Sequence, residues 1–315
     1  MSRHKRNDGY KPVIMVTGCT SGVGLAIAHL LYQIPEYRTI VTGRQLSLAK
    51  LRQLFEEKEN FKILDLDVTS ESSRKKTMNQ IQDLWGAVDI LINNAGICYR
   101  SVVEDMHDSD EQKQMATNYF GPMSLIRHVL PFMREKGRGK IINVSSVSGM
   151  LAMPTMASYS ASKHALEGAS EALWYEMKPF GINVSLIQPG FIHSQSFENV
   201  YFSEKSALGT ESTIQPYSDY YHSMGPFIAK LMKLSWTSPE DVAKKVIQCV
   251  QQENPPLWIP ATPDAVLFYF FRRLIPRRWL MPLLFFFLPN SKYWAHHHTF
   301  RRDAVGEWNR KKKAS

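Results

Sequence analysis

Tyr159 and Lys163 stand four residues apart in the stretch Tyr159-Ser160-Ala161-Ser162-Lys163. On an α-helix that spacing places both side chains on one face. A free phenol ionises near pH ~10 and is a poor base at neutrality. A neighbouring ammonium favours the phenolate, so Lys163 is expected to poise Tyr159 as an acid or base. Ser146, thirteen residues before Tyr159, can donate to a reacting oxygen. Asn118, in Thr117-Asn118-Tyr119-Phe120-Gly121, can brace a proton-relay water beside Lys163. A Tyr-x-x-x-Lys pair arises easily by chance, so the elements that hold it must decide whether it is a site.

Those elements alternate. Short apolar runs at Val13–Val16, Thr39–Thr42, Phe61–Asp65, Val88–Ile92, Lys140–Val144, Asn183–Ile187 and Leu257–Ile259 read as strands. Between them lie helical patterns at Val23–Tyr32, Ser47–Lys58, Ser70–Leu84, Glu111–Arg134 and Ser158–Met177, the last stopped by Pro179. Ser238-Pro239-Glu240-Asp241 is a helix start: cap, proline at the first position, then acids. Apolar strands alternating with helices predict an α/β fold, a doubly wound parallel sheet covered on both faces. In such sheets ligands bind at the carboxyl ends of the strands.

The strand ends carry the second set of signals. After Val16 comes Thr17-Gly18-Cys19-Thr20-Ser21-Gly22-Val23-Gly24, a GxxxGxG turn that lets backbone N–H groups approach a pyrophosphate at a helix N-terminus. Arg44 follows the second strand where an acid would bind ribose hydroxyls, and its guanidinium suits a 2′-phosphate, favouring NADP over NAD. No basic residue lies between Gly18 and Gly22 to reinforce that preference. Asp67 and Val68 end the third strand, where a carboxylate and a backbone N–H could meet adenine. Asn93-Asn94-Ala95-Gly96 ends the fourth, its small residues letting the backbone pass beside a sugar or ring.

Taken together, TGCTSGVG, DLDV, NNAG, the Asn118 helix, INVSSVSG, YSASK and Gln188-Pro189-Gly190 resemble the short-chain dehydrogenase/reductase family, in family order over roughly residues 12–262. The resemblance implies a Rossmann fold, a nicotinamide cofactor and hydride transfer between an alcohol and a ketone or aldehyde. It implies a catalytic tetrad of Asn118, Ser146, Tyr159 and Lys163, with Lys163 also on the nicotinamide ribose. It extends the cofactor contacts to Gly18, Thr20, Ser21, Gly22, Val23, Gly24, Arg44, Asp67, Val68, Asn94, Ala95, Gly96, Pro189, Gly190 and Ile192. Ser194 takes the position where family members usually place a threonine on the carboxamide. Weaker similarities point to the steroid and retinol dehydrogenase branches and to 3-ketosphinganine reductases. A non-catalytic NADP-binding scaffold is the alternative, and the intact tetrad argues against it.

The remaining length frames substrate and location. The 315-residue chain is 44% hydrophobic with a net charge of +9, the excess gathered at its ends. Residues 1–11 read as a basic tail, 12–262 as the catalytic domain, 198–234 as a substrate lid, and 263–315 as a hydrophobic, basic extension. The lid stretch reads as a long loop with short helices. Three cysteines in no paired spacing fit a reducing compartment, and no secretory signal opens the chain. Residues 265–289 are apolar and aromatic but hold Arg272, Arg273, Arg277, Arg278, Pro276 and Pro282. The prolines would break a continuous helix, and four arginines make a span costly. An interfacial membrane segment is favoured over a cap on the substrate site; both imply a lipophilic substrate. The final Lys312-Lys313-Ala314-Ser315 resembles a di-lysine retrieval signal, so the expected place is the cytoplasmic face of a membrane such as the endoplasmic reticulum. The histidines at 296–298 have no carboxylate or cysteine at ligand spacing, so no metal is expected. Six phenylalanines in that segment without a basic stripe favour lipid over nucleic acid. Family members often pair through the helices of Asn118 and Tyr159, which makes a homodimer possible.

Overall fold

The computed structural model describes residues 9–193, 200–212 and 215–294. Seven parallel strands form one sheet: β1 (Val13–Val16), β2 (Arg38–Gly43), β3 (Phe61–Asp65), β4 (Ile90–Asn93), β5 (Gly139–Val144), β6 (Ile182–Gln188) and β7 (Trp258–Pro260). Their order is β3-β2-β1-β4-β5-β6-β7, so the winding reverses between β1 and β4. That reversal opens the crevice in which doubly wound sheets bind ligands. Val16 pairs with Ile92, and Asn93 pairs with Asn143, so three strand ends reach the same edge.

Alternation along β1 shows how the sheet is covered. Ile14 and Val16 point into a cluster with Ile27, Leu31, Val242, Val246 and Val250 of helices α1 (Gly22–Tyr32) and α9 (Pro239–Gln251). Val13 and Met15 point into the opposite cluster with Leu125, Val129 and Leu173. Those three come from α5 (Gly121–Lys136) and α6 (Ala157–Met177). Both faces are therefore buried, which is why the strands read as unbroken apolar runs. The remaining helices of the first half are α2 (Leu48–Leu54), α3 (Glu71–Trp85) and α4 (Asp108–Met115).

The expected caps are present. Ser70 Oγ accepts from Ser73 N at 3.2 Å to open α3. Ser238 and Asp241 form a reciprocal capping box at the start of α9, with distances of 3.2 and 3.0 Å. The predicted helix across Asn118 is instead three pieces, α4, a π-helical turn at Ala116–Phe120, and α5. The predicted lid is more ordered than a loop: it carries α7 (Glu204–Glu211) and the seventeen-residue α8 (Ser218–Leu234). Of the two prolines expected to break the helix, Pro276 separates α10 (Pro263–Leu274) from α11 (Arg277–Phe287), whereas Pro282 sits inside α11. One proline within a helix removes one N–H donor and can be absorbed as a kink.

Candidate active site

The glycine turn takes the shape that its composition requires. Gly18 and Gly22 have φ of +70° and +54°, a region that side chains with a Cβ rarely adopt. Gly24 meets the turn so closely that a Cβ there would strike the Gly18 carbonyl and the Asn94 amide. Above Gly22 there is open space. Ser21, at the N-cap of α1, makes no side-chain cap hydrogen bond, and the first turn carries no acid. Uncapped amides on an acid-free helix start suit an anion, so the turn fits a pyrophosphate.

The neighbouring strand end is tied to that turn. Asn94 Nδ2 donates to the carbonyls of Thr17 and Gly18, both at 3.0 Å. Thr17 Oγ1 accepts from the backbone N–H groups of Asn94 and Ala95, also at 3.0 Å. Asn93 Nδ2 reaches Asn143 Oδ1 at 2.8 Å, and Asn143 reaches Ser170 Oγ at 2.9 Å. These asparagines brace strand ends. Arg44 is exposed just past β2. Asp67 Oδ1 accepts from Thr69 N at 2.9 Å and Thr69 Oγ1 at 2.7 Å, so that carboxylate oxygen shapes the loop, with Val68 buried beside it.

The four residues of the tetrad converge on the other side of the crevice. Asn118 lies within the π turn, a device frequent at functional sites. Its Nδ2 donates to Ile97 O at 2.9 Å and to Ser162 Oγ at 3.0 Å, while its Oδ1 accepts from Ile97 N at 2.9 Å. The side chain is thus a brace joining the NNAG loop to α6. Gly96 follows in that loop, and a Cβ there would lie 3.4 Å from Asn118 Oδ1 and 3.7 Å from Lys163 Nζ. Ser146 opens the turn after β5, its Oγ accepting from Ser148 N at 3.1 Å, and it opposes the rise of the Tyr159 phenol.

The electrostatics correct one expectation. Lys163 Nζ lies 5.9 Å from the Tyr159 ring centroid and donates to Val144 O at 2.9 Å. Burial raises the Tyr159 phenol above its ordinary value, Cys98 adds to the rise, and the group that opposes it is Ser146. Lys163 itself is pulled down to about 8 by burial, against the pull of Glu167 and Cys98. Desolvation outweighs the ammonium because the pair sits inside the protein rather than on a wet helix face. At neutral pH Tyr159 is therefore protonated and able to donate, while Lys163 still carries its proton there but gives it up more readily than an exposed lysine.

Past β6, Pro189 O accepts from Val147 N at 2.8 Å, and Gly190 N donates to Thr262 Oγ1 at 2.9 Å. Ile192 packs on the core beneath α1 and α9. Ser194, the basic N-terminal residues, the histidines at 296–298 and the di-lysine end lie outside the described residues.

An apolar wall stands beside the tyrosine. Met156, Met224 and Ile228 are buried, with Tyr159, Cys98, Phe191 and Phe227 packed against them. Met224, Phe227 and Ile228 come from α8, so the lid helix forms part of the wall. Leu288 and Trp294 of the extension join the same cluster. A second apolar cluster packs Ala265, Phe268 and Phe271 of α10 and Leu280 of α11 onto Val147, Met150 and Leu151. The extension therefore covers the catalytic side of the fold with one face. Its other face leaves Trp279, Phe286 and Phe287 at 60, 65 and 67% exposure. Among the described residues no helix is long and apolar enough to cross a membrane.

Sequence reasoning passed over Glu167, which is 5% exposed one helical turn beyond Lys163. Its signal was available: an acid on the Tyr159–Lys163 face of a helix otherwise lined there by small residues. Arg272 was read only as a membrane arginine, yet it donates to Gly149 O at 3.0 Å and Met150 O at 2.9 Å.

Residues 12–205 match the short chain dehydrogenase family. The chain belongs to the short-chain dehydrogenase/reductase family. It is an oxidoreductase acting on CH–OH groups with a nicotinamide cofactor. Over 244 residues it is 34% identical to a 3-ketodihydrosphingosine reductase of Bacteroides thetaiotaomicron, covering 78% of this chain and 85% of that protein. Over 253 residues it is 32% identical to retinol dehydrogenase 8 of Bos taurus, covering 78% of this chain and 79% of that protein. A short-chain dehydrogenase from Streptomyces avermitilis superposes with a TM-score of 0.70 at 28% identity, covering 97% and 99% of the two chains.

Proposed function

We propose that this enzyme is an NADP(H)-dependent reductase of a lipophilic ketone or aldehyde, working at a membrane surface. The observation that carries the reading is the placement of the Tyr159 phenol. It is held neutral by burial, stands beside Ser146, and is set against the wall of Met156, Met224 and Ile228. A neutral phenol donates a proton well and accepts one poorly, so the arrangement favours protonating a developing alkoxide. Ser146 Oγ, on the same site, stabilises that oxygen by hydrogen bonding. Bound reduced nicotinamide would supply the hydride.

The chain's own residues divide the rest of the task. The turn from Gly18 to Gly24 receives the pyrophosphate. Thr20, Ser21 and Val23 line it, and exposed Arg44 meets a 2′-phosphate. Asp67 and Val68 would hold the adenine, and Asn94, Ala95 and Gly96 the ribose. Lys163, protonated below about 8, holds the nicotinamide ribose. Pro189, Gly190 and Ile192 would hold the nicotinamide. Asn118 keeps the NNAG loop and α6 in register.

The apolar wall gives the substrate its class: it buries hydrocarbon and offers few groups for polar recognition. The named activities of the two relatives, on retinol and on 3-ketodihydrosphingosine, lie within that class. The exposed aromatic face of α10 and α11, with Arg273, Arg277 and Arg278 beside it, suits the interface of an anionic bilayer. Phe120 and Tyr175, 58 and 72% exposed near the Asn118 and Tyr159 helices, suit a homodimer.

The test is NADPH oxidation, with and without detergent, against retinal, steroid ketones, long-chain 3-keto compounds and short aldehydes. Turnover of a lipophilic carbonyl that Tyr159→Phe abolishes while NADPH still binds is the expected result. Wild-type rates in Tyr159→Phe would overturn the assigned chemistry. A strong preference for NADH would overturn the role given to Arg44.

A further inference from the structure

Around the tetrad, one buried carboxylate and one guanidinium meet the same short turn from opposite sides. Glu167 Oε1 accepts from Ser145 Oγ at 2.7 Å and from Gln188 Nε2 at 2.9 Å. Ser145 immediately precedes Ser146, and Gln188 immediately precedes Pro189-Gly190. Gly149 lies so close to this carboxyl that a Cβ there would come within 2.7 Å of Glu167 Cδ. From the outer side, Arg272 of α10 donates to the carbonyls of Gly149 and Met150 at 3.0 and 2.9 Å. The turn that presents Ser146 is thus held between α6 and the C-terminal extension.

We propose that Glu167 and Arg272 are positioning residues of the active site, fixing the Ser146 turn from both sides and setting the charge around Lys163. The inference rests on the reductase reading above and adds the extension to its working parts. Glu167 follows Lys163 by one helical turn on the same face, so the carboxylate lies where it can favour the ammonium. Burial raises the Glu167 carboxyl; hydrogen bonds from Gln188 and Ser145, and then the charges of Arg272 and His164, oppose the rise. Arg272 therefore serves twice, as a clamp on two carbonyls and as a cation that opposes the rise of the Glu167 carboxyl. The titratable and charged groups acting on the pair are Tyr159 and His164 of α6, Cys98 of the loop after β4, and Arg272 of α10.

Glu167→Gln separates charge from shape. Both donors use the single oxygen Oε1, which the amide retains, so the turn keeps its bonds while the negative charge goes. NADPH binding is read from nicotinamide fluorescence between pH 6 and 10, and turnover on a carbonyl that the wild type reduces. In the wild type, affinity falls as pH rises through about 8, where Lys163 loses its proton. In Glu167→Gln that fall moves down by about one pH unit, with affinity at pH 6 kept within about 2-fold. A structural brace alone would lower the melting temperature and leave the limb in place. Arg272→Met lowers kcat by about 10-fold with the NADPH KM unchanged, and Arg272→Lys, which keeps one cation, recovers part of it.

An unmoved alkaline limb in Glu167→Gln overturns the proposal. So does wild-type kcat in Arg272→Met, which also serves should Glu167→Gln fail to fold. A wild type that binds no NADPH and reduces no carbonyl sinks the reductase reading, and this inference with it. A working wild type with an unmoved limb sinks the inference alone.

Discussion

The crevice between β1 and β4 and the wall built around α8 face the same tyrosine but are made by different physics. At the crevice nearly every group is fixed by a directional bond: Asn94 to Thr17 and Gly18, Asn93 to Asn143, Asn118 to Ile97 and Ser162. At the wall the contacts are methionine, leucine and aromatic side chains in apolar clusters, with comparable side chains left exposed on the outer face. A hydride donor must stand at a defined distance and angle, and hydrogen bonds enforce that. A hydrophobic substrate needs area removed from water, and area has no direction. Methionine, as at Met156 and Met224, accommodates irregular shapes and suits a wall that admits related molecules.

The largest effect that sharpens this contrast is on chemistry. Tyr159→Phe should lower kcat about 10³-fold with NADPH affinity unchanged, read by steady-state kinetics and fluorescence titration. Next comes the crevice. Asn94→Ala removes two hydrogen bonds to strand-end carbonyls and should destabilise the fold by about 2 kcal/mol, read by urea unfolding. The same change should weaken NADPH binding. On the other side, Met224→Ala and Ile228→Ala should raise the KM for a lipophilic carbonyl about 10-fold and leave the KM for NADPH alone. If either wall variant disturbed the cofactor as much as the substrate, the division between the two regions would fail.

The pH profile supplies a further check, because Lys163 serves the cofactor side. Its pKa in the fold, about 8, lies below the ordinary lysine value near ~10.4. The cation is therefore lost as pH rises through 8, and NADPH affinity should fall there, whereas Tyr159 stays protonated across the range. Ser238→Ala, which breaks the capping box of α9, should cost about 1 kcal/mol in thermal unfolding. Smallest of all in stability is Phe286→Ser with Phe287→Ser. The pair should leave unfolding unchanged and reduce cosedimentation with anionic vesicles, since both rings are exposed.

Much of this was legible before any coordinates. The order of strand, glycine turn and helix, the serine strand before Tyr159, and the Ser238 start were all read at the right places. Signals of this kind are local: periodicity, caps and turns act over a few residues. What was misread depended on distant neighbours. The ammonium of Lys163 was expected to lower the Tyr159 phenol, because i and i+4 share a helix face. In the fold, the same face is packed under β5 and the NNAG loop, and desolvation overrides the neighbour. The helix through Asn118 reads as continuous, and only its packing against Ile97 and Ser162 shows why a π turn is kept there. The extension was read as either membrane segment or cap. One face of α10 and α11 packs against the turn after β5, as a cap would, and the other leaves aromatic rings exposed.

The amino-acid order alone determined the α/β class, the glycine turn after β1 and the placing of Tyr159 and Lys163 on one helix, since each follows from spacing that any helix or strand would express. Tertiary structure decided the protonation of Tyr159 and Lys163, the role of Glu167 and the joining of Arg272 to the Ser146 turn. Those properties depend on burial and on contacts between residues up to 123 positions apart, and no local pattern records how deeply a group is buried or which distant residue it meets.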